Sequence, residues 1–519
     1  MKSRRLMWST ATILLGALAI PIQLAAQEQQ HKKGHHRYKL VDVGTFGGPA
    51  SYFQNGFDGI LNNHGTAAGW ADTSTQDPYP GFCFNPLNCF VSHAFAWQGG
   101  LLTDLGTLPG GSSSQAFWIS RNGLIAGNSQ NGEIDPLITG LPEIRAVLWK
   151  HGEIIDLGTL EGGHESLASA VNTRGQVVGA FNNTIPDPFS FVGNGYQVRG
   201  FLWRDGTMED LGTLGGPDAF ASFVNESGQI TGQSYTNSVP NPVSGIPTAD
   251  PFFWEDGRMM DVGTLGGTSG SPTALNNRGE IVGQSNLEGD LISRPFLWTK
   301  SRGIQDLGTL GGDTGLTNWI NDAGDIVGKT DLAGPLSPQD HHAVLWTHGV
   351  INDLGTLPGD SSSNGYFVND RGQVVGTSED RAHMLIGVGE HAFLWEDGGP
   401  MVDLNSLIPA GSSLQLTYAV AINDRGEIAG FGVPPGVPPE KYETEGHAYI
   451  LIPCEENHAD TEGCEDEGQA TAAAIQNSPA PAAQILTNVN HDGLTPQTLA
   501  ALRARFARQY RDFGTGPRN

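Results

Sequence analysis

A single phrase, Asp-Leu/Val-Gly-Thr, returns along this 519-residue chain with its acid at Asp42, Asp104, Asp156, Asp210, Asp261, Asp306 and Asp353. An eroded eighth copy stands at Asp403-Leu404-Asn405-Ser406, which makes the period about 52 residues. A second phrase, apolar-Asn-x-x-Gly-x-apolar-apolar-Gly, ends at Gly69, Gly127, Gly179, Gly232, Gly283, Gly328, Gly376 and Gly430. A third, [His/Arg/Asp]-small-apolar-apolar-Trp, ends at Trp97, Trp149, Trp203, Trp254, Trp298, Trp346 and Trp395, and its eighth copy carries Leu451 in place of Trp. Such a chain must build one supersecondary unit eight times and bury each unit against its neighbours.

Each phrase reads as a strand or a turn. Ala392-Phe393-Leu394-Trp395 is an apolar run followed by Glu396-Asp397-Gly398, a hairpin turn in which Gly supplies a positive φ, and Pro400–Leu404 returns as its partner. Asn423-Asp424-Arg425-Gly426 is a second turn, flanked by the strands Leu416–Ile422 and Glu427–Gly430. Each unit thus yields four short strands, and no helical period survives in the region. The 72 glycines, without a collagen period, fit a chain rich in tight turns.

Four strands, eight units and no helices point to an all-β fold, an eight-bladed β-propeller over residues 38–453. An open β-solenoid or two smaller propellers would use the same strands. On this reading the Gly-x-Ile-Val-Gly strand lines the central channel, and the strand ending in Ile-Asn is outermost. The repeat region starts mid-unit at Tyr38–Asp42 and stops mid-unit at His447–Leu451. N- and C-terminal strands should therefore be exchanged, two and two, leaving no open sheet edge.

The three phrases together resemble the HAF-repeat family of probable extracellular proteins, named for a His-Ala-Phe triplet that stands literally at His93-Ala94-Phe95 and His391-Ala392-Phe393. The resemblance spans roughly residues 38–453 and implies an exported, repetitive, β-rich protein whose biochemical role is poorly defined.

The repeated polar residues are expected to be structural. One Asp per unit falls far short of the six to eight oxygens that calcium requires, so the Asp column should cap the Gly-Thr turn that follows it. The Trp column should pack between units. The position occupied by His93, Arg145, Arg199, Asp250, Arg294, His342, His391 and His447 should be a polar edge site. Function on a repeat scaffold sits in what varies, here the spacers between the Val-Gly strand and the next His-Ala-Phe strand. The early spacers are long and hold Tyr79, Phe82, Phe84, Phe90, Phe189, Phe191, Tyr196 and Tyr235, and a propeller would gather them on one face. Tyr79, Phe82, Phe84 and Phe90 are the candidate ligand-binding residues, for a carbohydrate or a protein; aromatics in such loops can equally pin the loop onto the ring. No catalytic residue, metal or cofactor is assigned, because no nucleophile elbow, zinc motif, phosphate loop or dinucleotide fingerprint occurs. An extracellular polysaccharide hydrolase or lyase using loop acids such as Asp72, Asp135, Asp187 or Glu379 is the alternative.

Residues 1–26 read as a signal peptide, with Lys2, Arg4 and Arg5 ahead of a short apolar stretch, followed by a flexible basic, His-rich segment at 27–37. Outside the cytoplasm the four cysteines should form two local disulfides, Cys83–Cys89 and Cys454–Cys464. Residues 454–468 form an acidic loop and 469–494 a linker, which includes a degenerate calcium-type loop at Asn488–Gly493. Residues 495–513 form an amphipathic helix bearing Arg503, Arg505, Arg508 and Arg511, with contact to an anionic envelope as one use. The net charge of −27 excludes non-specific nucleic-acid binding. A secreted or periplasmic monomer without a membrane span after processing is expected, acting as a binding scaffold.

Overall fold

The computed structural model describes residues 36–454, apart from 55–58, 81–82, 138–139, 161, 192, 194, 243, 335–339, 381–389 and 439–440, together with Cys464. The expected signal peptide, linker, calcium-type loop and Arg-bearing helix, and Phe82, lie outside these residues. Among the described residues the fold is all-β; the helical elements are a 3-10 turn at Leu404–Ser406 and a single turn at Tyr442–Glu445. No helix among them is long and apolar enough to cross a membrane.

The strands form six four-stranded sheets and one eight-stranded sheet, in which two four-strand sets are joined by a parallel bridge between Ala249 and Ser269. Pairing within each unit is antiparallel and follows chain order. In the third unit the strands are Ser166–Val171, Val177–Pro186, Tyr196–Arg204 and Thr207–Asp210. The third and fourth strands are joined by two-residue turns such as His151-Gly152, Asp205-Gly206 and Asp256-Gly257, whose residues all have φ between +51° and +83°. That double positive φ is the hairpin geometry that matches strand twist.

The strand order corrects one expectation. The strand ending in Val/Ile-Asn, not the Gly-x-Ile-Val-Gly strand, is innermost: Val171, Val224, Leu275, Ile320, Val368 and Ile422 all line one central cavity. The glycine belongs to the second strand for a different reason than channel taper. Gly179 lies opposite Ala168, next to a β-bulge in the innermost strand, and a Cβ on it would stand 1.9 Å from the Leu167 carbonyl oxygen. The same collision, at 1.9–2.2 Å, meets a Cβ at Gly69, Gly127, Gly232, Gly283, Gly328, Gly376 and Gly430. A bulge bends its strand and raises its twist; the glycine lets the two backbones approach at that bend.

The exchange of ends is also corrected, from two-plus-two to three-plus-one. Gln415–Ile422, Ile428–Val433 and His447–Pro453 come from the C-terminal part, and Tyr38–Asp42 alone joins them, with Tyr38 opposite Pro453. Tyr38–Asp42 is a fourth strand, so a single strand completes that sheet.

The apolar core lies between successive sheets. Ala170, Val178 and Leu202 of the third unit, for example, pack on Val224, Ile230, Phe252 and Trp254 of the fourth. Trp149 and Trp346 add inter-unit hydrogen bonds, donating through Nε1 to the carbonyls of Leu105 and Leu307 at 3.0 Å. Serines at the start of the innermost strands do likewise: Ser114, Ser166, Ser363 and Ser51 accept the amide N–H of Ala94, Ala146, Ala343 and Ala448.

The Asn of the second phrase forms a further circuit. Its Oδ1 accepts two N–H bonds within its own turn, and its Nδ2 donates to the carbonyl of the next unit's turn. The chain of donors runs Asn172 to Asn225, Asn276, Asn321, Asn369 and Asn423 at 2.9–3.1 Å. Asn423 then donates to Asn62 at 3.0 Å, and Asn62 to Ser120 at 3.2 Å. Where Ser120 replaces the asparagine, Asn122 makes the bond to Thr173 at 2.9 Å. These bonds, with the inter-unit core, give a β-propeller scaffold.

Candidate ligand-binding face

The second and third strands of a unit are joined on the face opposite the Asn turns. In the first three units the second strand is long: Thr66–Gln76, Ile125–Ile134 and Val177–Pro186, against Ile281–Leu287 and Val374–Glu379 later. These extended strands carry the long loops beyond the body of the scaffold.

The loops are built on buried acids. Asp77-Pro78, Asp135-Pro136 and Asp187-Pro188 each begin a turn in which Oδ1 accepts the N–H two residues on, from Tyr79, Leu137 and Phe189 at 2.7–2.9 Å. Each of these acids also donates its own N–H across the loop, to Cys89, Leu141 and Gly195 respectively. This Asp-Pro repeat was not recognised from the sequence, although the recurrence at 77, 135 and 187 was available to reading. Asp72 is fully buried and holds the disulfide loop by accepting from Asn85 and Asn88. Burial outweighs those bonds and raises its pKa to about 6. Asp218 accepts the N–H of Phe191 at 2.7 Å and of Val198 at 3.0 Å, clamping the third loop onto the fourth unit. Burial, with the neighbouring Asp187 carboxyl adding to it, raises Asp218 to about 8. Asp72, Asp135, Asp187 and Asp218 are all buried and at work inside loops, so none is presented to a substrate.

The expected ligand-binding aromatics divide. Phe84 is buried against Ile144 and Leu167, where it pins the loop on its neighbours. Tyr79 is half-buried on Leu141 and Leu137, and Phe90 is half-buried at the start of Phe90–Gln98. Tyr235 is buried, packs with its ring 4.2 Å from that of Phe191 at a tilt of 40° and donates its OH to the Phe189 carbonyl at 2.9 Å. Both disulfides, Cys83–Cys89 and Cys454–Cys464, are formed.

The repeated polar columns meet each other. Every Asp of the first phrase accepts the N–H two residues on, from Gly44 beside Asp42 to Asn405 beside Asp403, at 2.7–2.9 Å. In four units the same Asp also takes the variable residue of its own sheet: His93–Asp104 and His342–Asp353 at 2.8 Å, Arg199–Asp210 at 2.9 Å and His447–Asp42 at 3.0 Å. The hydrogen bond to Asp104 raises the pKa of His93, while Asp104, despite burial, is lowered by that bond and by Gly106. Asp250 breaks the pattern, because it faces Asp261. Burial and that like charge raise it to about 7.

No protein-family model matches the chain, and no curated protein matches its sequence. Solved structures similar in shape include the β-propeller domain of the Trilobed protease from Pyrococcus furiosus, at 10% identity and TM-score 0.39, over 71% of this chain and 98% of that one. Pyrococcus horikoshii acylaminoacyl peptidase gives 10% and 0.39, over 74% of this chain and 58% of that one. The gluconolactonase XC5397 from Xanthomonas campestris gives 12% and 0.26, over 54% and 83%.

Among its exposed polar residues the long-loop face also presents aliphatics: Ile134 and Ile185 at the ends of the extended second strands of the second and third units, Val239 and Ile246 on the loop of the fourth, and Leu291 on that of the fifth. Leu291 is 89% and Val239 70% accessible, so these side chains support no internal packing. Among the described residues no group of three or more His, Cys, Asp or Glu is placed to hold a metal ion.

Proposed function

We propose that this chain is an exported, HAF-repeat-type binding protein, built as a closed eight-bladed propeller, that docks a protein partner on its long-loop face. The observation that carries the reading is the run of exposed Ile134, Ile185, Val239, Ile246 and Leu291 along consecutive loops. Scattered single aliphatics are ordinary on a surface, but five of them on the same face of four successive units mark that face as the one where a partner can bury apolar area. A sugar-stacking platform needs flat, open aromatic rings, and here Phe84 and Tyr235 are buried. That moves the ligand from carbohydrate to protein. The buried loop acids argue against the hydrolase or lyase alternative, which needs two carboxyls flanking an open cleft. Closure is supported by the Asn423–Asn62 bond and the Tyr38–Asp42 strand, export by the two disulfides.

The test uses the full chain and its Val239→Glu/Leu291→Glu variant, whose changes lie on exposed loops. Cross-linking against intact cell envelopes and a glycan array, with sugar release assayed alongside, should give a discrete protein adduct that the variant loses. Glycan binding or sugar release that survives in the variant would overturn the reading.

A further inference from the structure

The central cavity described above lies on the opposite face. The Asn turns surround a vestibule of about 180 Å³ to which every unit contributes residues. Its floor is aromatic: Trp118, Phe223, Trp319 and Phe367, from four different units, line it and touch one another. Trp319 stacks on Phe367 at 4.5 Å, and Trp118 lies 6.2 Å from Trp319 and 6.1 Å from Phe223.

Its rim is made by the residue after each Asn, and four of these are acids: Glu226, Asp322, Asp370 and Asp424. Each accepts an N–H from the turn before it, from Thr173, Asn277, Asp322 and Asp370 at 2.9–3.1 Å, which fixes the carboxylates in place. One rim residue is cationic. Arg121 of the second unit reaches Asp322 of the sixth at 2.7 Å, and Glu226 and Asp370 also act on its charge. One position further along the turns stand Arg174, Arg278, Arg371 and Arg425, of which Arg278 and Arg425 are engaged by Glu280 and Glu427 at 2.6 Å. Burial and the charges of Asp424 and Asp322 raise the pKa of Asp370, as expected where carboxylates outnumber cations.

We propose that this vestibule binds an organic cation, an alkylammonium or guanidinium on an apolar stem, with its charge among Asp322, Asp370 and Asp424 and its stem on Trp319 and Phe367. The Arg121 guanidinium marks the chemistry, since it already occupies part of the rim, and the ligand displaces it from Asp322. An aromatic floor favours an organic cation over a hydrated metal ion, because the ring face attracts the charge while the ring covers the stem. Each rim carboxylate gives one oxygen to a backbone N–H around the ring and they do not converge on one point, which suits an organic cation better than a metal. This site is independent of the partner-binding reading, on the other face.

The experiment is calorimetric and tryptophan-fluorescence titration of the full chain with agmatine and with spermidine, against calcium chloride at equal ionic strength. Saturable binding of at least one amine is expected, weakened about tenfold or more in Asp322→Asn/Asp370→Asn and tightened several-fold in the exposed-site variant Arg121→Gln. Trp319→Leu should weaken the amine and leave the calcium trace unchanged. Absence of saturation in both the native chain and Arg121→Gln overturns the proposal, as does an equal response to calcium. So does binding indifferent to the Asp322→Asn/Asp370→Asn change in a protein whose melting temperature is unaltered.

Discussion

Asn423 Nδ2 donates to the backbone carbonyl of Asn62 at 3.0 Å across 361 residues of sequence. The same bond elsewhere joins units that follow one another along the chain, whereas here it joins the C-terminal strands to the first unit, which they otherwise reach only through their pairing with Tyr38–Asp42. Asn423 also accepts the N–H of Arg425 and Glu427 at 3.0 Å, so its removal leaves several buried groups unpaired.

The seam should therefore be where unfolding begins. Asn423→Ala and Asn276→Ala remove chemically equivalent side chains, each at a cost of about 2–4 kcal/mol. Only the first lies in the sheet whose fourth strand, Tyr38–Asp42, is held to His447–Pro453 by strand pairing and not by a hairpin. Stopped-flow unfolding should show a larger rate increase for Asn423→Ala; equal rates would mean that the ring does not open at its ends.

Gly179 offers a backbone test. A methyl group there would stand 1.9 Å from the Leu167 carbonyl oxygen, an atom that can move only with its strand. Gly179→Ala should destabilise by about 2–4 kcal/mol, read as a lower denaturant midpoint, although alanine normally favours ordered structure over glycine.

Acids raised by burial set the sign of one pH effect. Asp72 and Asp218 titrate near about 6 and about 8 in the folded chain, against an ordinary value near 4 when unfolded. Between those values the folded protein holds protons that the unfolded chain has released. Their contribution to stability is full below about pH 4 and is lost as pH rises through about 6 and then about 8. Denaturant midpoints at pH 5 and pH 9 should converge in Asp72→Asn/Asp218→Asn relative to the native chain.

Asp250 can be given the partner its neighbours have. In Asp250→His the imidazole would face Asp261 as His93 faces Asp104, replacing a like-charge contact with an ion pair. A gain of about 1–3 kcal/mol is expected below pH 6.5, where the new histidine is charged, shrinking as pH rises through its folded pKa. Melting curves at pH 6 and pH 8 measure it.

Much of the scaffold could be read before any coordinates existed. The Asp-x-Gly-Thr spacing and the Asp-Gly hairpins are local chemistry, so four strands per unit and the two short disulfides followed from the chain alone. The strand order did not. Small residues in Gly-x-Ile-Val-Gly suit either a narrow channel or a close approach to a bulged neighbour, and the bulge at Ala168–Ala170 leaves no mark on composition. The single-strand closure was equally hidden, because Tyr38–Asp42 can begin a unit or end one. On the loops, aromatic content pointed to Phe84, but content is blind to exposure. Phe84 was consumed by Ile144 and Leu167, and the aliphatic tips took the surface.

The Cys454 amide donates to the Arg37 carbonyl at 2.8 Å, where the closing strand meets its partner, and Pro453 lies beside Gly426 of the Asn turns. Both ends of the propeller thus depart together, from the vestibule side. Held by either end, the molecule would have its vestibule face on the side of the attachment and its long loops on the far side.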